Sequence, residues 1–316
     1  MTTLAVFSMF EGYSAEELQA IFLMQSFNGL SMFAVFLLMA LGLAIIFGQM
    51  KVINMAHGEF LTLGAYTTVF VSDFVGSSAP WALPYYFPVA VALAFLVAGA
   101  FGCFVEVTLI RWLYKRPLDT LLATWGLGMI MQQSFRSGFG AREDSAVMPD
   151  WLMGSWSVTE MVDIPINGLF LLGLAVGMTG GVYFLLFRSR YGLRVRATVA
   201  NREMADAAGI ATKRTDRMTF ALGCGIAGVA GAAFTTIGSV SPDAGKLYIV
   251  DTFLIVVFGG AGSILGTVLA AFTIAQTQSI LEFFLSGVLA KVYVLLIVMG
   301  ILLLRPQGLV KAKIRC

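Results

Sequence analysis

Asn54, His57 and Glu59 stand in a run that is otherwise mainly apolar or small, Gly48-Gln49-Met50-Lys51-Val52-Ile53-Asn54-Met55-Ala56-His57-Gly58-Glu59-Phe60, which continues through Leu63-Gly64-Ala65-Tyr66. An imidazole and a carboxylate can exchange protons or hold a metal. A spacing of two, however, puts His57 and Glu59 on different faces of a helix, so the pair is neither a metal couple nor a catalytic dyad. What remains is hydrogen bonding. Polar groups inside an apolar span are costly and face a bundle interior or a solute route. Gly48, Gly58 and Gly64 permit close packing or a broken helix at the same place. Two readings stay open: Asn54 and His57 clamp neighbouring helices, or with Glu59 they line a pathway. Asp251 and Thr252 are further pathway candidates, with Gln132 and Gln133 as weaker ones.

The elements that must position these groups are membrane helices. Of 316 residues 59% are apolar and 12% charged, and mean hydropathy is +0.87, outside the range of a soluble globular chain. The leader before Leu18 is acidic (Glu11, Glu16, Glu17) and has no Lys or Arg before Lys51, so the first apolar segment is expected to stay as a span. Three cysteines, Cys103, Cys224 and Cys316, imply neither a disulfide framework nor a metal cluster.

At about 20 residues per crossing, spans are expected near Phe27–Phe47, Val52–Val75, Tyr86–Ile110, Leu118–Phe139, Asn167–Phe187, Met218–Gly238, Ile249–Gly262, Leu265–Phe284 and Val288–Leu304. The seventh is short. The expectation is therefore an all-α polytopic membrane bundle of eight to nine spanning or partly spanning helices, in one domain over residues 1–316. Basic residues fall in three groups: Arg111, Lys115 and Arg116; eight between Arg188 and Arg217; and Arg305, Lys311, Lys313 and Arg315. The positive-inside rule puts all three in the cytoplasm. The acidic segment Ala141–Pro165 then faces out, as does the N-terminus, and the C-terminus faces in.

The second basic group, residues 188–217, carries its own local code. Asn201 can cap a short helix, Glu203 sits in its first turn and Gly209 suits its left-handed end, which predicts a helix over Arg202–Ala208. Glu203-Met204-Ala205, three residues, then Gly209 is similar to the Glu-Ala-Ala-x-x-x-Gly loop of ATP-binding-cassette importers, whose short helix docks on an ATPase subunit. The alternative is a basic loop that only obeys the positive-inside rule. Asn201, Glu203, Ala205 and Gly209 are the candidate coupling residues.

Longer motifs carry a family resemblance. Ile53-Asn54-Met55-Ala56-His57-Gly58-Glu59-Phe60, Ala208-Gly209-Ile210, Phe220-Ala221-Leu222-Gly223 and Arg305-Pro306-Gln307-Gly308-Leu309, in that order, resemble the permease subunit of branched-chain amino acid importers. Within that family Gly48-Gln49-Met50, Ala200 to Ala205, Ile237 to Asp243 and Tyr248 to Phe253 are most similar to the urea-type permease. Ser239, Ser241 and Lys51 depart from that type and leave the ligand open among urea, short amides and branched-chain amino acids. The resemblance implies two cytoplasmic ATPase subunits, a second related permease subunit and a periplasmic solute-binding protein in a bacterial inner membrane. It implies no cofactor and no nucleic acid. Ala141–Pro165 and Ser239–Leu247 are then available to the binding protein.

Other motifs dissolve on inspection. Gly223-Cys224-Gly225-Ile226-Ala227-Gly228 matches a dinucleotide fingerprint but has no preceding strand. Gly223, Ala227 and Gly231 instead form a small-residue seam for helix packing. Gly259-Gly260-Ala261-Gly262 lacks the Lys of a phosphate loop, so the chain is expected to be a transport subunit, not an ATPase. An ion-coupled transporter would also use Glu59 and Asp251, but it is marked by related halves, and here only a loose echo links Gly48–Tyr66 with Gly245–Gly262. A passive channel and a membrane enzyme are weaker rivals, the latter because one His and no paired Cys offer no metal site.

Overall fold

The computed structural model describes residues 14–310 except 115, 160, 161, 261 and 306. Glu11, Lys115, Glu160, Ala261, Pro306, Lys311, Lys313, Arg315 and Cys316, named above, lie outside the described residues. The chain begins with α1, Ala15–Met50, set by a reciprocal cap in which Ser14 N donates to Glu17 and Glu17 N donates to the Ser14 hydroxyl. At 36 residues it is about 54 Å long, more than a bilayer core requires. It ends at Lys51, whose φ of 52° is left-handed, a conformation that disfavours a branched Cβ.

Eight further long helices follow: α2 (His57–Ser78), α3 (Tyr86–Val105), α4 (Pro117–Phe139), α5 (Ile166–Arg188), α8 (Thr212–Phe234), α9 (Ala244–Gly259), α10 (Ile264–Phe284) and α11 (Gly287–Leu304). Between α5 and α8 lie the shorter α6 (Arg190–Ala200) and α7 (Arg202–Ala207). A π-helical turn, Glu106–Ile110, continues α3. The acidic segment between α4 and α5 contains a small antiparallel hairpin, β1 (Ser155–Thr159) with β2 (Val162–Pro165), so the all-α expectation holds for the bundle but not for this loop.

Among the described residues, six helical stretches are long and apolar enough to cross a membrane: Glu16–Met50, Pro80–Leu113, Ile166–Arg188, Thr212–Phe234, Ile264–Phe284 and Gly287–Leu304. The other three expected spans are helical but fall short for physical reasons. At 16 residues α9 rises only about 24 Å. Helix α2 begins at His57, not Val52, and carries His57, Glu59 and Asp73, while α4 carries Asp119, Gln132, Gln133 and Arg136.

Helix α8 is the axis of the bundle. Every residue from Gly223 to Phe234 is buried, because small residues let three neighbours, α1, α2 and α3, approach on different sides. A Cβ on Gly231 would fall 1.9 Å from Leu61 O of α2, and one on Gly64 would fall 2.1 Å from Gly228 O. Gly223 meets Gly42 and Ile46 of α1, and Gly225 meets Phe95 of α3. The seam expected at Gly223, Ala227 and Gly231 is thus one side of a helix that is small on all sides. The two echoing segments also touch, Gly58 on Gly245 and Gly48 on Gly262.

The helix ends sort into two groups. One end gathers Gln49, Glu106, Tyr114, α6, α7 and the start of α8, and there Leu309 N bonds to Phe258 O at 2.8 Å. At the other end Asp144 pairs with Val240, the Tyr86 hydroxyl donates to Val147 O, and Asn167 Nδ2 donates to Thr236 O at 2.9 Å.

Candidate functional site

Residues 52–56 turn back from the end of α1 and carry the chain inward before α2 starts. Two bonds fix this return: Asn54 Oδ1 accepts from Ala56 N at 3.1 Å, and Met55 N donates to Thr124 Oγ1 of α4 at 3.1 Å. Asn54 therefore lies in a non-helical approach, with its Nδ2 buried and unpartnered. His57 opens α2 and sets Nε2 3.2 Å from Met39 O of α1. A carbonyl can only accept, so Nε2 carries the proton and Nδ1, buried without a partner, is an acceptor.

Glu59 turns the other way, and its Cγ lies beside Gly128 of α4. From Glu59 the same helical face continues to Thr62 and Tyr66, at i+3 and i+7. Glu59 Oε2, Thr62 Oγ1 and Tyr66 OH are all buried with no hydrogen-bond partner among the described residues. Five unpartnered polar atoms thus follow one another between Asn54 and Tyr66, where buried polar groups are ordinarily satisfied. Phe139 stacks on the Tyr66 ring, 4.2 Å between centroids. Nearby, Asp243 accepts from Gln132 and pairs with Arg136 at 2.8 Å.

The remaining pathway candidates are placed elsewhere. Asp251 pairs with Lys291 Nζ of α11 at 3.1 Å, on the side of α9 away from α2; Ile249 is the α9 residue that meets Gly58. Thr252 is buried, and its hydroxyl is satisfied by Tyr248 O at 2.6 Å. Gln132 is occupied by Asp243, and Gln133 is exposed. Sequence reasoning missed Thr62 and Tyr66, which share the face of Glu59 at i+3 and i+7 but carry no charge that would set them apart in an apolar run.

The second set of candidates builds α7. Asn201 Oδ1 accepts from Met204 N at 3.0 Å, Ala205 is buried, Glu203 and Met204 are exposed, and Gly209 has φ 82°. Ile210 N closes the end on Ala205 O at 3.0 Å, a Schellman-type bond that needs the left-handed glycine. The preceding α6, not anticipated from the sequence, buries Gly192, Val195 and Thr198 on one side.

Beneath α7 lies a buried polar cluster. Asp216 pairs with Arg202 and accepts from Gln49 Nε2 at 3.4 Å. Arg202 also lies over the Tyr114 ring, 5.2 Å from its centroid. The Tyr114 hydroxyl donates to Glu106 Oε1 at 2.8 Å, and Arg217 Nε stands 3.5 Å from Glu106 Oε2. Burial, and then the hydrogen bond to Glu106, hold the Tyr114 phenol well above its ordinary pKa, so it stays a donor.

Residues 25–304 match the family described as the branched-chain amino acid transport system permease component. A high-affinity branched-chain amino acid transport system permease protein of Salmonella typhimurium is 27% identical over 303 residues, covering 91% of this chain and 95% of that protein. The corresponding permease of Pseudomonas aeruginosa is 26% identical over 298 residues, with the same coverage of 91% and 95%. An autoinducer 2 import system permease protein of Salmonella choleraesuis is 28% identical over 215 residues, 62% of this chain and 56% of that protein. No solved structure matches. A helical bundle packed through glycine, with a polar line at its centre and a capped helix on its basic loop, matches this family over nearly its whole length, and the chain belongs to the permease components of branched-chain amino acid transport systems.

Proposed function

We propose that the chain is the membrane-spanning subunit of an ATP-driven importer in a bacterial inner membrane. It carries a small polar solute past Asn54, His57, Glu59, Thr62 and Tyr66 by alternating access. The family match over residues 25–304 carries this reading, and the unpartnered atoms between Asn54 and Tyr66 support the route. In the complex, α7 docks on an ATPase subunit through Glu203, Ala205 and the turn fixed by Asn201 and Gly209. Two ATPase subunits, a second permease and a periplasmic binding protein complete it. The chain makes nine passes, N-terminus outside, with residues 188–217 in the cytoplasm.

Branched-chain amino acids are the solutes favoured by the relatives, which are permeases of branched-chain amino acid transport systems. Urea or a short amide is the second reading. It rests on the Gly48–Met50, Ala200–Ala205 and Tyr248–Phe253 motifs. The test is uptake of radiolabelled leucine and of radiolabelled urea by vesicles holding the complete complex, with ATP on the cytoplasmic side. Accumulation of leucine that urea does not compete for supports the first reading; the converse moves the assignment to urea. Uptake that needs a proton gradient and not ATP overturns both.

A further inference from the structure

The cluster beneath α7 has the geometry of a mechanical linkage, and this inference rests on the importer reading above. Its two carboxylates are almost wholly buried, with Asp216 and Glu106 side chains 1% and 2% exposed. A buried carboxylate left unpaired is strongly destabilising, so whatever pairs it is held firmly. The partners come from different elements: Arg202 from α7, Gln49 from the end of α1, Arg217 from α8 and Tyr114 from the segment after α3.

The two ends of α7 are tied to α8. Arg202 pairs with Asp216, and Asp206 Oδ1 accepts from the Thr212 hydroxyl at 2.7 Å. Helices α7 and α8 therefore move as one body. Toward α3 the connection is looser. Arg202 meets it only through the face of Tyr114, Glu106 meets Arg217 at ion-pair distance without a hydrogen bond, and Glu106 opens a π-helical turn. Single π-turns within helices are frequent at functional sites because their ladder is already interrupted. Farther along, α8 abuts α2 directly, Gly231 on Leu61 and Gly228 on Gly64, alongside the polar line.

We propose that Asp216, gripped by Arg202, and Tyr114 with Glu106, reached through the Tyr114 ring, form the linkage that carries displacement of α7 into the membrane, with Arg202 as its positioning residue. Helix α8 is the rigid rod of this linkage and the turn Glu106–Ile110 is its compliant joint. When the docked ATPase displaces α7, α8 slides against α2 while α3 yields at its joint.

The experiment measures solute taken up per ATP hydrolysed, in vesicles holding the complete complex, with whichever of leucine or urea the wild type accumulates. Arg202→Gln leaves Asp216 buried and uncompensated; uptake per ATP is expected to fall about tenfold or more while the ATPase subunits still copurify. Arg202→Lys restores a cation and is expected to keep the ratio within about threefold of wild type. Tyr114→Phe removes one hydroxyl and no charge, and is expected to lower the ratio about threefold in a folded protein, which keeps the test available if Arg202→Gln does not assemble. A wild-type ratio in both Arg202→Gln and Tyr114→Phe, or an Arg202→Lys ratio as low as that of Arg202→Gln, overturns the linkage. A wild-type complex that accumulates neither solute with ATP overturns the importer reading instead and is seen before any variant is made.

Discussion

At the scale of single residues, the informative atoms are those with nothing to bond. The Thr62 hydroxyl is buried beside the Glu59 carboxylate without a hydrogen bond of full geometry, so Thr62→Val, which keeps the shape, removes mainly a desolvation cost. The melting temperature is expected to hold or rise. If the hydroxyl meets the solute, half-saturation of uptake rises about five- to tenfold, the worth of one hydrogen bond. Unchanged half-saturation takes Thr62 off the route. Glu59→Gln separates a hydrogen-bonding carboxylate from a proton carrier, because Gln keeps the shape and loses the ionisable group. Uptake within about a factor of three of wild type, insensitive to a protonophore at fixed ATP, is expected. Loss of uptake on adding the protonophore would favour an ion-coupled transporter. The sequence made Asn54, His57 and Glu59 visible because charged or amide groups in an apolar run stand out. A Thr and a Tyr in such a run do not, and only burial without a partner distinguishes them. The pairing of Asp251 was hidden for the opposite reason: its cation, Lys291, is forty residues away on another helix, beyond any spacing rule.

At the scale of elements, the central helix α8 depends on residues that lack side chains. Gly231→Ala puts a carbon 1.9 Å from a backbone carbonyl of α2, and a backbone atom cannot rotate away. The cost is about 1–3 kcal/mol of overpacking, read as a lowered melting temperature in detergent. A variant as stable as wild type would mean that α2 and α8 are not packed in this register. The small-residue seam on α8 was legible because its period of four is a helix period. The helix α7 was legible too, since Asn201 and Gly209 are strong end signals. By contrast α6 was hidden: its apolar positions, Val195 among them, are diluted by Arg190, Arg194 and Arg196, and the charge density resembles a solvated loop. The start of α2 was misplaced by five residues because Val52 and Ile53 continue the apolar run, and only the bonds of Asn54 and Met55 stop the helix from beginning there.

At the scale of the whole molecule, the two groups of helix ends fix which segments share a side, and the nine alternating passes proposed above would bring the ends of α1, α3, α5, α9 and α11 to the side that holds α6 and α7. Composition alone supports six crossings, because a span that packs inside a bundle need not be apolar all round. Helix α2 contains buried polar groups for that reason, and α9 is short because Gly260 ends it where the tail at Leu309 tucks beneath. A six-pass arrangement in which α2 lay on the surface would require these buried polar residues to face water. The two arrangements differ in an outcome that labelling can read. The hairpin residue Ser157 and the α6 residue Arg194 are both exposed and sit on either side of α5. With the native cysteines replaced, Ser157→Cys is expected to react with an impermeant maleimide added outside, and Arg194→Cys only after the membrane is opened. Since one helix separates them, reaction of both from the same side would mean that α5 does not cross, and the orientation taken from the basic residues would fall with it.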